Sequence, residues 1–151
     1  MFQRIDKKII QILRKISYPL ARFSLFSVFF WFGILKVIGL SPASDLVKSL
    51  LSETLPFFSF EKFIIFFGLY EMAIGVAFVI PGLERLAVAL LLPHILSTSL
   101  PLILLSNDTW NGFLSPTLEG QYIIKNLVII ALAFSMGAHL NPLEERRIHK
   151  A

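Results

Sequence analysis

A single carboxylate lies in the middle of an otherwise uncharged apolar stretch. Glu71 is the only formally charged residue between Phe63 and Ile80, and Gly68 and Gly75 stand three and four residues away from it. Residues at this spacing share one face of a helix, so the carboxylate and the small glycine surfaces should turn together towards neighbouring helices. An ionisable group at the centre of a bilayer costs about 2.5–3.5 kcal/mol on insertion scales, so Glu71 requires a partner or a use.

Two lysines and a histidine in other apolar stretches are candidate partners for this carboxylate. Lys36 follows Gly33 by three residues, which repeats the pairing of a packing glycine with a charge. At about 1.5 Å rise per residue, Lys36 and Lys125 sit about 5–8 Å from the outer ends of their helices, while Glu71 lies deeper. We therefore predict a ligand-binding cluster in the outer half of the bundle, made of Lys36, Glu71, His94, Lys125 and Asn126.

The predicted cluster has a chemical and a structural interpretation. Two cations beside one carboxylate leave positive charge over, which suits an anion or a polarised carbonyl, and the carboxylate is able to relay a proton. Alternatively, the lysines extend their ammonium groups into the interface, and Glu71 forms a purely structural ion pair. His94 follows Pro93, whose missing amide hydrogen frees a carbonyl one turn back that a structural histidine would bond. The sequence leaves both interpretations open.

The absence of cysteine and of cofactor motifs excludes several kinds of chemistry. Without cysteine there is no disulfide, thiol nucleophile, thiolate zinc site or cysteine-held iron–sulfur cluster. No metal site is expected, because Glu71 and His94 lack a suitably spaced second histidine. His139 belongs near the far end of its helix, too distant to share a haem with His94. We therefore expect no cofactor other than a quinone-like or lipid ligand, and no catalytic activity without a partner.

The composition is that of a membrane protein. Of 151 residues, 56% are hydrophobic and 16% charged, against about 45–50% and ~25% in soluble domains. A soluble domain of this size buries only about 68–70% of the surface of its unfolded chain, so the excess apolar side chains must face lipid. The net charge of +4 comes from basic residues beside apolar stretches, which indicates an anionic membrane surface and no nucleic-acid partner.

Four apolar stretches are long enough to cross a bilayer as helices. They predict an all-α integral membrane four-helix bundle that forms one transmembrane domain over 1–151, with spans at about 20–40, 63–80, 86–105 and 122–140. Short interfacial helices and a basic tail at 141–151 accompany the spans. The basic arm at 1–19 repeats apolar residues every three or four positions, which predicts an interfacial helix, although a helical basic flank gives the same pattern.

The basic residues outside the spans are distributed unequally. Ten lie in the arm and its junction with the first span at Arg22, in the connection between the second and third spans, and in the tail, whereas the two longer connections carry only Lys48 and Lys62. Positive residues favour the cytoplasmic side of a membrane. We therefore predict a multi-pass protein whose N and C termini are both cytoplasmic.

Three segments stand out together in order and spacing. They are FWFGILK at 30–36, GLYEMAIG at 68–75 and GQYIIKN at 120–126. The sequence containing them resembles the DoxX-like membrane proteins, especially their YkgB-like relatives, over all four spans from about Arg22 to Ala138. The connection at 41–61 is shorter than in the YkgB-like proteins.

The resemblance implies a small protein of the bacterial inner membrane with a four-helix bundle. Members of the family include a subunit of a thiosulfate:quinone oxidoreductase and proteins linked to oxidative or reactive-chlorine stress. The residues at the family-like polar positions of this sequence are Gly33, Lys36, Glu71, Gly75, Lys125 and Asn126.

Three functions fit these features. The first is an accessory component of membrane redox or oxidative-stress defence that binds a quinone-like or other amphiphilic molecule among its helices. A soluble oxidoreductase or a second copy of the chain is a candidate partner. The second is a small-solute or proton pathway through Glu71 and His94, with kinks at Pro93 and Pro101. The third is a structural or assembly subunit whose buried charges specify helix pairing.

Overall fold

The protein is an all-α membrane bundle. A computed structural model describes residues 2–140 of the chain and is 79% helical. Within this part of the chain, four helical stretches are long and apolar enough to cross a membrane, which confirms the predicted fold class. The predicted basic tail at 141–151 lies outside the described residues.

The elements follow one another in a simple order. Helix α1 (Phe2–Val37) is followed by α2 (Ser44–Thr54), and α3 (Phe60–Val79) turns directly into α4 (Glu84–Ser99). The short helices α5 (Pro101–Leu104) and α6 (Ser106–Thr109) precede an antiparallel hairpin of β1 (Trp110–Gly112) and β2 (Ser115–Pro116). Helices α7 (Leu118–Ile124) and α8 (Asn126–Gly137) complete the described chain.

Two of the four spans are made of two helical segments each. The spans are Phe2–Val37, Phe60–Val79, Glu84–Leu104 and Leu118–Gly137. The bounds predicted from the sequence are about 20–40, 63–80, 86–105 and 122–140. The third joins α4 to α5 at Leu100, where Pro101 lacks the amide hydrogen that would continue the helix. The fourth joins α7 to α8 at Lys125.

Helix α1 contains both the basic arm and the first span. It runs unbroken for 36 residues with Pro19 inside it, so its length is about 54 Å against about 30 Å of hydrocarbon. The sequence treats the arm and the span as separate segments, with the boundary at Leu20. Pro19 removes only the bond to the carbonyl of Lys15, which lies on the exposed stretch 2–17 and is open to solvent.

Helices α1 and α3 pack as antiparallel neighbours with close backbone contact. A Cβ added to Gly33 would lie 2.5 Å from the carbonyl oxygen of Gly68, and one added to Gly68 would lie 2.7 Å from that of Gly33. Gly75 faces the backbone of α1 at Phe26 and Phe30 in the same way. The three glycines therefore determine how closely the two helices approach, as small residues do at other membrane helix interfaces.

The apolar core lies between α1, α3, α4 and α8. Its most completely buried side chains are Leu25, Ile74, Phe78, Ala87, Leu91 and Ala133. Other large apolar side chains point outward and are more than half exposed, among them Phe66, Leu96, Ile103, Leu127 and Val128. Such a surface would be unfavourable in water, so these side chains contact the lipid bilayer.

An ion pair ties α1 to the turn between α3 and α4. Arg22 Nη1 donates to Oε1 of Glu84 at 2.6 Å, and Nη2 donates to the carbonyl oxygen of Val79 at 2.9 Å. The guanidinium also lies 5.6 Å from the centre of the Tyr18 ring. The sequence alone places Arg22 in the basic flank and does not reveal its partner.

The segment between the third and fourth spans is ordered, although its Asn, Gly and Pro content is typical of a loop. The hydroxyl of the fully buried Thr109 donates to the carbonyl oxygen of Leu105 at 2.9 Å. The carbonyl oxygen of Thr109 accepts from the amide of Thr117 at 2.9 Å. Trp110 Nε1 donates to the carbonyl oxygen of Leu102 at 3.0 Å. These bonds join α6 and the hairpin to α5.

Candidate functional site

Lys36 and Glu71 form a buried ion pair where α1 crosses α3. Nζ of Lys36 donates to Oε2 of Glu71 at 2.7 Å. The two residues are only 6% and 5% exposed. Gly33 and Gly68 each precede one of the charges by three residues and allow the close helix contact beside the pair. The sequence predicts that these two charges lie together, and the structure places them in contact.

His94 of α4 faces the other oxygen of the same carboxylate. Its Nε2 lies 3.5 Å from Oε1 of Glu71, at the outer limit of a hydrogen bond. His94 is 4% exposed. Glu71 therefore stands between one polar group from α1 and one from α4, and its carboxylate joins three helices. We call Lys36, Glu71 and His94 the buried triad.

Aromatic rings enclose the histidine. The ring of Phe67 stacks on it with 5.1 Å between centroids, and Phe29 meets it edge-on at 5.4 Å. The ring of Tyr70 lies 6.1 Å away, and its hydroxyl donates to the carbonyl oxygen of Leu90 at 2.6 Å. Nζ of Lys36 lies 5.6 Å from the centre of the Phe67 ring. The triad is thus held among apolar rings, where electrostatic interactions are stronger than in water.

The second ring nitrogen of His94 is a buried polar atom without a partner. Nδ1 has no hydrogen bond among the described residues. Because the carboxylate of Glu71 is an acceptor, the proton of the neutral ring belongs on Nε2, and Nδ1 then carries a lone pair. A lone pair cannot donate a hydrogen bond to a carbonyl. In this geometry His94 therefore does not bond the carbonyl that Pro93 leaves free. An unsatisfied buried acceptor costs about 1–3 kcal/mol, so it calls for an explanation.

Asn126 lies beside the triad rather than in it. Its Nδ2 donates to the hydroxyl oxygen of Thr98 at 3.3 Å, and that hydroxyl donates to the carbonyl oxygen of His94 at 3.0 Å. Asn126 is half-buried. It is therefore connected to the backbone of His94 through one intervening side chain.

Lys125 lies outside the triad, which corrects the sequence-based expectation that it couples to Glu71. It is exposed, and its Nζ lies 3.7 Å from the centre of the Tyr122 ring. Within residues 2–140, Glu71 forms an ion pair with Lys36 and a contact with the neutral ring of His94. The physical reason is the position of Lys125 at the joint between α7 and α8, which leaves its side chain beside Tyr122 on the outer surface.

Without Lys125, the site differs in charge from the one predicted, and it suits a different kind of ligand. The triad holds one cation, one anion and one neutral ring, so the excess of positive charge predicted for an anion is absent. The Lys36 ammonium has three N–H donors, of which one is used by Glu71. Further N–H donors of Lys36 and the lone pair of His94 Nδ1 therefore offer both kinds of hydrogen bond to an uncharged polar molecule.

The aromatic residues around His94 are not among the site residues predicted from the sequence. Phe67 stands four residues before Glu71, so it shares that residue's helix face, and this spacing was an available signal. Nothing in the sequence pairs Phe29 of α1 with His94 of α4, because that contact depends on how two helices separated along the chain are packed.

Comparisons of the chain with protein-family models, with characterised proteins and with solved structures found no match. Within residues 2–140, no group of three histidine, aspartate or glutamate side chains is placed to hold a metal ion.

Proposed function

We propose that this protein binds the polar head of a quinone-like amphiphile at the buried triad, as an accessory component of membrane redox or oxidative-stress defence in a bacterial inner membrane. The observation that carries the proposal is Nδ1 of His94, a buried acceptor without a partner among the described residues. The resemblance of the three polar segments to DoxX-like proteins supports the same assignment.

The donors and acceptors of the triad are complementary to a quinone and its reduced form. A quinone carbonyl accepts from the ammonium of Lys36, and a quinol hydroxyl donates to Nδ1 of His94. If the quinol proton moves to Nδ1, the imidazolium that forms is stabilised by Glu71, whose carboxylate already faces Nε2 at 3.5 Å. The sequence carries no flavin, nicotinamide or haem motif, so the proposal assigns electron transfer to a partner oxidoreductase.

Two measurements test the proposal directly. Mass spectrometry of small molecules extracted from gently purified protein should detect a quinone or a related amphiphile. Equilibrium dialysis of the protein in nanodiscs should show binding of duroquinol and duroquinone but not of durene, which has the same methylated ring without oxygen atoms. A protein that takes up all three compounds equally recognises only apolar rings, and the proposal is then wrong.

Variants locate the binding site. His94→Phe keeps an aromatic ring but removes Nδ1, and we expect it to weaken duroquinol binding about tenfold, the equivalent of one lost hydrogen bond. Lys125→Gln is the control, because Lys125 is exposed and lies outside the triad. Equal affinities of the wild type and His94→Phe for duroquinol would show that His94 does not bind the ligand.

A proton pathway is the second candidate, because three titratable side chains from three helices are in contact inside the bundle. Proteoliposomes with an imposed pH gradient test it. A Glu71-dependent proton flux without quinol binding would favour this function over the first.

A further inference from the structure

A second polar site lies between α1 and α8, at the opposite end of α1 from the Lys36–Glu71 pair. A half-open cavity of about 410 Å³ lies between the two helices. Its volume falls within the range of about 300–1,000 Å³ that is typical of small-molecule sites. Because Lys36 is 22 residues beyond Arg14 of the cavity wall, about 33 Å of helix separates the two sites.

The wall of this cavity is divided into an apolar and a polar part. Ala21, Leu132 and Met136 form the apolar part and belong to the spanning segments of α1 and α8. The polar part includes Arg14 and Ser17 of α1 and His139, which follows the end of α8 at Gly137. The polar side chains therefore gather near the end of α8, and we place the headgroup region of the bilayer at this level.

The positive charge of Arg14 is not neutralised by a carboxylate in the described part of the chain. The ion pairs there join Arg22 to Glu84 and Lys36 to Glu71. Arg22, two turns beyond Arg14 on the same helix, is thus paired, whereas Arg14 lines the cavity without an ion pair among the described residues. A guanidinium binds phosphate through two parallel hydrogen bonds, which makes it well suited to a phosphate head.

The side of the cavity beside Arg14 is held in place by its neighbours. The rings of Tyr18 and His139 meet edge-on with 6.5 Å between centroids, and Arg22 lies over the Tyr18 ring at 5.6 Å. Nδ1 of His139 lies 2.7 Å from the carbonyl oxygen of Ser135, to which it donates. These contacts hold the two rings against each other and tie His139 to the end of α8.

We propose that this cavity binds an anionic phospholipid. The phosphate head is bound by Arg14 and the hydroxyl of Ser17, and an acyl chain passes over Leu132 and Met136 towards the hydrocarbon. The amphipathic wall, the guanidinium that has no carboxylate partner within residues 2–140 and the position at the end of α8 all fit a lipid of this class. The site is separate from the buried triad, so the proposal does not depend on quinone binding.

Native mass spectrometry of the detergent-solubilised protein, with equimolar phosphatidylglycerol and phosphatidylcholine added, tests the proposal. We expect the wild type to retain phosphatidylglycerol in preference, and Arg14→Gln to reduce that retention about tenfold through loss of the phosphate contact. Ser17→Phe leaves every charge in place but fills the cavity, and it should reduce retention as well. A millimolar excess of inorganic phosphate should not displace the lipid.

Arg4→Gln is the matched control for Arg14→Gln. It removes the same charge from the same exposed arm, at a position that does not line the cavity. Equal losses in the two variants would assign lipid retention to the overall charge of the arm and overturn the proposal. No preference for phosphatidylglycerol in the wild type, or full displacement by inorganic phosphate, would overturn it too. Circular dichroism checks that each variant remains helical.

Discussion

At the scale of single residues, the carboxylate of Glu71 contacts one side chain with each of its two oxygen atoms. Its ion pair with Lys36 stabilises the contact between α1 and α3, and its second oxygen faces a histidine whose other nitrogen has no hydrogen-bond partner among the described residues. A purely structural pair would need the first contact only. In the proposed function, this unpaired nitrogen is where the ligand binds.

We predict that Glu71→Gln destabilises the protein. The substitution leaves the ammonium of Lys36 buried without a countercharge, and breaking a buried pair in this way costs about 3–5 kcal/mol. Denaturant titration in mild detergent measures the loss. Glu61→Gln on the same helix is the control, because Glu61 is exposed and its substitution should change stability little.

A double substitution separates the two roles of Glu71. Lys36→Met with Glu71→Met removes both charges, so it should recover most of the stability that Glu71→Gln loses while leaving duroquinol binding impaired. Unchanged stability in Glu71→Gln would mean that the ammonium of Lys36 reaches water, in contradiction to its 6% exposure.

The contact between Lys36 and Glu71 is predictable from sequence because each charge follows a glycine by three residues inside an apolar stretch. The position of Lys125 is not predictable in this way. Its side-chain direction depends on the joint between α7 and α8, which a continuous apolar pattern does not reveal. Likewise the contact of Arg22 with Glu84 requires knowing that α1 packs beside the turn between α3 and α4.

At the scale of elements, the crossing of α1 and α3 depends on the absence of side chains at two positions. We predict that Gly33→Ala and Gly68→Ala each reduce the free energy of unfolding by about 1–3 kcal/mol, the usual cost of overpacking. The added Cβ would lie 2.5 Å or 2.7 Å from a carbonyl oxygen of the facing helix, so the helices must separate. Thermal unfolding in detergent measures the effect.

Gly137→Ala serves as the control for the glycine variants. Gly137 is also helical, but nothing lies within 4 Å of a Cβ added there. Its substitution should be neutral or slightly stabilising, since alanine has the higher helix propensity. A comparable loss in all three variants would show that the helix crossing is not the cause.

Two features of the helices and strands are not predictable from the sequence. The lengths of the apolar stretches are enough to predict four spans. The continuity of α1 through Pro19 is not predictable, because a proline is found at the start of a helix as well as inside one. The hairpin after α6 is also hidden, since its order rests on bonds from Thr109, Thr117 and Trp110 to backbone atoms.

At the scale of the whole molecule, the unequal distribution of basic residues predicts the topology. We expect a reporter fused after Ala151 to be cytoplasmic and one inserted between Ser106 and Gly120 to be exported, because ten basic residues flank one side of the bundle and two the other. Alkaline phosphatase and green fluorescent protein reporters distinguish the two sides. An exported C-terminal reporter would reverse the assignment.

Because α1 is long, a small tilt of this helix moves its N-terminal part by several ångströms. Arg14 stands 19 residues before Gly33, so a tilt of about 10° around the glycine crossing would move it sideways by about 5 Å. Between these two residues, α1 is held by its contact with Gly75 at Phe26 and Phe30 and by the pair of Arg22 with Glu84. Only the exposed stretch 2–17 lacks such restraints, so a bend of α1 near Pro19 would alter the width of the cavity between α1 and α8 without disturbing Lys36 and Glu71.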